Sequence, residues 1–240
     1  MAVTIGSARS SFGNTKAGDQ AGGKEVSTQS WYLHSKGWYV LRCKDKTKRV
    51  LIAEAMQKAC DNNNIGYSQG SRNTLYNNIK DKSFDPSKTT KAVNTDCSAL
   101  VRVCCNYAGI TVGDFITSSE ASVLMKTGKF DKLTSDKYCK SGDYLMKGDI
   151  LVTKTKGHTV VVLTDGRKAE YPAVAPTPSV ETDSYTVTGD SVNVRYGPST
   201  SYSISKTVNK GDTLEKVTTD GWTPVKVNGQ VLWISSKYVK

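Results

Sequence analysis

The chain has 240 residues, with 33 Lys and Arg against 22 Asp and Glu, and a formal net charge of +11. At 37% apolar residues it can bury one large core or two smaller ones, and no apolar run approaches the roughly 20 residues of a membrane span. The basic residues are scattered and form no stripe with aromatics, so no nucleic acid is expected, whereas a polyanionic surface such as a bacterial cell wall suits the charge.

In chain order, the opening "MAVTIGSARSSFGN" lacks a charged stretch followed by an apolar core. No secretory signal is therefore expected, and synthesis in a cytoplasm is. The first 30 residues are rich in Gly and Ser and show no clear period. "SWYLHSKGWYVLR" carries an expected strand at 38–42, and its His34, between aromatics and a turn, reads as a surface or packing residue. Helices are expected at 50–62 and 71–80.

The segment "NTDCSALVRVCCNYAG", residues 94–109, is the most informative. From Cys97 the apolar residues fall at 97, 100, 101, 104, 107 and 108, one face of an amphipathic helix. Asp96 is a suitable N-cap and Gly109 a suitable left-handed terminus. Cys97 then sits in the first turn, where free N–H groups and the helix dipole favour a thiolate. Cys104 and Cys105 read as small apolar core residues. The six cysteines contain no CxxC pair, so no zinc site and no other metal or cofactor is expected, and without a secretion signal the thiols read as reduced.

A short helix is expected near 119–126, followed by strands at 149–154, 158–163 and 167–171 in "KGDILVTKTKGHTVVVLTDGRKAEYP". Helices first and an antiparallel sheet afterwards make an α+β domain over residues 1–171. A reactive cysteine needs a base and a group that orients the base. His158 is the candidate base. By the period of two it shares a face with Val160 and Val162, which is expected to pack against the 97–108 helix. Glu170, brought back by a turn at "DGR", is the expected orienting carboxylate; Asp165 is the alternative, although a residue before Gly166 suits the turn itself.

The proline-containing stretch "YPAVAPTPSVETDS" marks a linker, residues 172–184. Beyond it, short alternating runs separated by turns, with Asn228-Gly229 as a hairpin signal, predict a small all-β barrel at 185–240.

Two resemblances attach to these segments. "TDCSALV" followed by "KGDILVTKTKGHTVVVL" resembles the NlpC-type cysteine peptidases of bacterial cell walls, whose papain-like fold sets a helix-starting cysteine on a sheet carrying the histidine. The usual "DCSGLV" is "DCSALV" here, with Ala99 in the glycine position. The resemblance implies Cys97 as nucleophile and His158 as base. It also implies a tyrosine near the nucleophile, for which "IGYSQGSRNTL" offers Tyr67. Gln69, Arg72, Asp96, Ser98 and Asp165 are the further substrate-cleft candidates, and Asp19, Gln20 and Trp31 are candidates in the N-terminal extension. "VNVRYGPSTSYSISKTVNKGDTLEKV" resembles bacterial SH3-like domains, which implies wall binding through Tyr196, Tyr202, Trp222, Trp233 or Tyr238. Together the halves resemble a phage endolysin. The implied substrate is an amide of the peptidoglycan stem peptide of a Gram-positive host, most often the D-γ-glutamyl–diamino acid bond. The alternatives are the N-acetylmuramoyl–L-alanine amide and a non-catalytic wall-binding protein. Such enzymes accumulate in the host cytoplasm until a holin opens the membrane.

Overall fold

A computed structural model describes residues 2–9, 18, 25–155, 157–169, 184–197, 199–216, 222–227, 230–235 and 238–239. The chain divides into two units, Met1–Glu170 and Tyr171–Lys240.

The first unit runs β1 (Thr4–Ala8), β2 (Val26–Ser30), β3 (Trp38–Cys43), α1 (Lys46–Asp61), β4 (Ile65–Tyr67), α2 (Thr74–Ile79), β5 (Val93–Thr95), α3 (Cys97–Tyr107), α4 (Glu120–Lys126), β6 (Phe130–Leu133), α5 (Asp136–Cys139), β7 (Ile150–Thr153) and β8 (Thr159–Val162). Six strands form one antiparallel sheet in the order β2-β1-β8-β7-β3-β6, and β4 pairs with β5 in a small parallel sheet. The unit is α+β.

Helices α1 and α3 pack on each other and on one face of the large sheet. Asp45 caps α1, accepting from the Lys48 N–H at 3.1 Å, so this helix starts four residues before its expected position. Close approach of α1 to β1 depends on Gly6, where a Cβ would fall 2.6 Å from Met56 Cγ. The other face buries Val3, Ile5, Trp38, Val40, Leu145, Leu151, Val160 and Val162, covered in part by Trp31, Leu133 and Tyr138. Each strand of the sheet centre is thus buried on both sides, which suits the continuous apolar runs "ILVT" and "TVVV".

Two expectations about this sheet are corrected. The strand beside β8 is β1, from the N-terminus, and no strand follows β8 through residue 169. The chain turns at Arg167 and Lys168, where Gly166 N–H donates to the Leu145 carbonyl and Lys168 N–H to that of Asp143. Secondly, Val160 and Val162 face away from the helices, into the Trp38 cluster. The helix side of β8 carries Val161, paired with Gly6 over α1, and Thr159.

The second unit comprises β9 (Ser184–Thr186), β10 (Val192–Arg195), β11 (Ile204–Val208), β12 (Thr213–Lys216), β13 (Trp222–Val227) and β14 (Gln230–Ser235), hydrogen-bonded in the order β11-β10-β14-β13-β12-β9. Val192, Val194, Val208, Leu214, Val225, Leu232 and Ile234 alternate into its core. Pairing of Val227 with Gln230 gives β13 and β14 the two-residue connection expected at Asn228-Gly229, residues outside the described set.

Candidate active site

The site begins at the N-terminus of α3. Asp96 has an extended backbone and its Oδ1 accepts from the Ala99 N–H at 2.7 Å and the Ser98 hydroxyl at 2.9 Å. This is the expected N-cap, and it places Cys97 as the first helical residue. Gly109, at φ +69°, follows the helix end as expected. Arg72 holds the cap from outside. Its guanidinium donates to Asp96 Oδ2 at 2.5 Å, to both oxygens of Asp114 at 2.8 and 2.9 Å, to Ser98 Oγ at 3.0 Å and to the Phe115 carbonyl at 2.5 Å. Arg72, Asp96 and Ser98 therefore satisfy one another, and a planar fork with five donors suits this clamp.

Cys97 is 7% exposed. Burial pushes its thiol up to about 12, with Asp96 and then Glu120 acting in the same direction, while the backbone N–H groups of Thr159 and Ser98 pull the other way. The lowered value expected from helix position is overridden by desolvation and these two carboxyl groups. Cys104 and Cys105 are fully buried core residues.

Thr159 connects this thiol to His158. Its N–H, which points to Cys97, belongs to the peptide joining the two residues. His158 leads into β8 from the turn after β7, where Thr153 Oγ1 accepts from the His158 N–H at 3.1 Å and Gly157 N–H donates to Thr117 Oγ1 at 3.2 Å. The His158 ring lies 6.5 Å from that of His34 and 6.4 Å from that of Trp38, centroid to centroid. Burial pushes the imidazole down to about 4, and the positive charges of His34 and Arg9 add to this. At neutral pH the resting pair is thus a thiol and a neutral imidazole.

Tyr67 also comes to the site. Parallel pairing of β4 with β5 sets Tyr67 beside Thr95, two residues before Cys97, and closes the gap of 30 residues in sequence. Its N–H donates to Glu25 Oε2 at 2.7 Å, and its phenol is pushed up by burial and by Cys97, with a Gln69 hydrogen bond opposing. Gln69 is exposed beside it.

Other candidates lie elsewhere. Asp165 follows the far end of β8 from His158 and its Oδ1 accepts from the Lys147 N–H at 2.7 Å. It stands seven residues beyond His158, past the whole of β8. Glu170, Asp19 and Gln20 lie outside the described residues. Trp31 packs over the Val3 and Leu145 cluster on the sheet.

His34 is the neighbour that sequence reasoning assigned elsewhere. Its Nδ1 accepts from the Lys36 N–H at 3.0 Å. Tyr32, His34 and Trp38 form an aromatic wall with centroid separations of 5.2 to 5.9 Å, and the Trp38 indole N–H donates to the Tyr32 carbonyl at 2.9 Å. The "WYLHSKGW" density of aromatics around a histidine was the available signal. Among the described residues no cluster of His, Cys, Asp and Glu could hold a metal ion.

In the second unit Tyr196 and Tyr238 pack partly on the core. Tyr202 lies against Gly197. Trp233 is partly exposed on β14, opposite Arg195, and the Trp222 side chain lies outside the described set. A cavity of about 270 Å³ opens between Asp190, Arg195, Thr200 and Tyr238.

Among known families, one described as an endolysin-like domain matches residues 8–169, and one described as a bacterial SH3 domain matches residues 190–240. No curated protein matches the chain significantly. The first match spans well over half of the sequence: the chain belongs to the endolysin-like domain family, with the domain composition of a peptidoglycan hydrolase that carries a bacterial SH3 domain.

Proposed function

We propose that this protein is a thiol-dependent peptidoglycan hydrolase of papain-like, NlpC-type design. It cleaves an amide of the murein stem peptide, the D-γ-glutamyl–diamino acid bond, and its C-terminal domain binds the wall. The observation that carries the reading is the position of Cys97. It starts a capped helix, and the backbone N–H of Thr159, the residue after His158, lowers the pKa of its thiol.

In the proposed reaction the Cys97 sulfur attacks the amide carbonyl while its proton passes to His158. The resting thiol and imidazole are both neutral, so transfer accompanies attack rather than preceding it. N–H groups at the start of α3 stabilise the oxyanion. The imidazolium protonates the leaving amine as the C–N bond breaks, leaving a thioester. His158 then takes a proton from water, the hydroxide equivalent attacks the thioester, and the acid product leaves with the thiol restored. His34, whose ring lies 6.5 Å from that of His158, is proposed as the orienting group, and Glu170 as its competitor. Tyr67 borders the nucleophile.

The net charge of +11 favours an anionic Gram-positive wall. Synthesis in the host cytoplasm and holin-dependent release complete the proposal. Mass spectrometry of fragments released from purified walls tests it. New termini at D-γ-glutamate support the endopeptidase; free L-alanine termini would assign the muramoyl amidase instead; wall binding without fragments would leave only a binding protein.

A further inference from the structure

Glu120, the first residue of α4, has no place in the mechanism above, yet it is 0% exposed. An acid in a first helical turn is ordinary when it faces solvent. This one is turned inward. Its Oε1 accepts from the Thr159 hydroxyl at 2.9 Å, and its Oε2 is buried without a hydrogen-bond partner among the described residues. Burying a carboxyl group in this way is costly unless it stays protonated. Thr159 is the residue whose backbone N–H points to Cys97 and which directly follows His158. A single side chain therefore ties α4 to the peptide lying between the proposed base and the proposed nucleophile.

We propose that Glu120 is a positioning residue for the Cys97–His158 pair: through the Thr159 hydroxyl it holds the first peptide of β8 against the thiol, and its ionisation state sets how readily that thiol loses its proton. The inference rests on the reading of Cys97 as nucleophile. Burial raises the Glu120 carboxyl to about 8, the Thr159 hydrogen bond opposes this, and Asp96 adds to it. Facing it are Asp96, the cap of α3, Cys97 and Cys105 from α3, Tyr39 from β3 and Thr159 from β8. The strand β6, packed on α4, brings Asp131 and Lys132, both exposed. Below pH 8 the group is mainly a neutral acid. Above it a negative charge appears on Glu120, which pushes the Cys97, Cys105 and Tyr39 values upward.

The test is the rate of Cys97 alkylation by iodoacetamide in the full chain, followed by peptide mass mapping from pH 7 to 9.5. Glu120→Gln keeps the shape and an oxygen for Thr159 but cannot ionise. Its ratio of rates at pH 9 and pH 7 should exceed the wild-type ratio by about threefold or more, half a pKa unit of thiol displacement. Thr159→Val removes the hydroxyl that lowers the Glu120 value, so the wild-type break near pH 8 should move to higher pH. A merely structural role would scale the rates at both pH values together. Equal ratios in wild type and Glu120→Gln, or a break that stays in place in Thr159→Val, would overturn the proposal. Wall hydrolysis by Cys97→Ala would instead overturn the nucleophile, and the alkylation curves would read the Glu120 effect independently.

Discussion

Acid sensitivity of the folded state follows from His158. Its imidazole moves from an ordinary 6.5 to about 4 on folding, because burial and the neighbouring His34 and Arg9 charges oppose protonation. Above pH 6.5 neither state holds this proton, and the folded state carries no penalty. As pH falls from 6.5 towards 4 the unfolded chain binds the proton and the folded chain does not, so stability is lost through that window and no further below it. The loss amounts to about 3 kcal/mol, from roughly 1.4 kcal/mol for each unit of displacement. Glu120 acts with the opposite sign: its value is raised from 4.5 to about 8, so its contribution is present below pH 4.5 and lost as pH rises through 8. Subtracting the urea unfolding free energy of His158→Gln from that of wild type cancels the Glu120 effect and isolates the histidine. The difference should fall by about 3 kcal/mol between pH 7 and pH 4. With only two histidines in the chain, the imidazole proton resonances give a direct second reading. A difference that is flat with pH, or a His158 midpoint near 6.5, would refute the burial argument.

Three further outcomes follow from the site. His34→Ala should lower kcat for wall fragments about tenfold or more with little change in KM, whereas Asp165→Ala should leave kcat unchanged and mildly lower Tm; a larger kcat loss in Glu170→Ala than in His34→Ala would return the orienting role to the carboxylate. Arg72→Lys cannot serve four partners from one ammonium and should cost about 1–3 kcal/mol in urea unfolding, loosening the cap in front of Cys97. A chain ending near Tyr171 should cleave soluble muropeptides at a rate within about twofold of the full chain but lyse whole cells at least tenfold more slowly, since tethering raises local substrate concentration; inertness towards soluble fragments would mean that the barrel completes the site.

The helix that carries Cys97 was legible because its signals are local: a cap, a period and a glycine within sixteen residues, "NTDCSALVRVCCNYAG". Strands β7, β8 and β3 were legible as apolar runs. Strand β1 was not, because "TIGSA" has small residues on the face that α1 covers, so neither alternation nor a run appears. The facing of β8 was misread for a related reason. "TVVV" is buried on both sides, and a period of two then cannot say which side the helix takes. The expected return strand after β8 failed because the adjacent edge is filled by β1, a pairing across more than 150 residues that no turn signal announces. Tyr67 depended on parallel pairing of two three-residue strands, and Glu120 on a hydrogen bond across 39 residues. An acid in "TSSEASV" reads as an ordinary first-turn helix residue until tertiary structure turns it inward.

The central claim is that Cys97 is the nucleophile of a wall hydrolase, and the most direct measurement is release of new amino termini from purified peptidoglycan by wild type and Cys97→Ala side by side. The account predicts that wild type liberates stem-peptide fragments with new termini, and that Cys97→Ala, folded and still wall-bound, liberates none above background. Release by Cys97→Ala at the wild-type rate would contradict it.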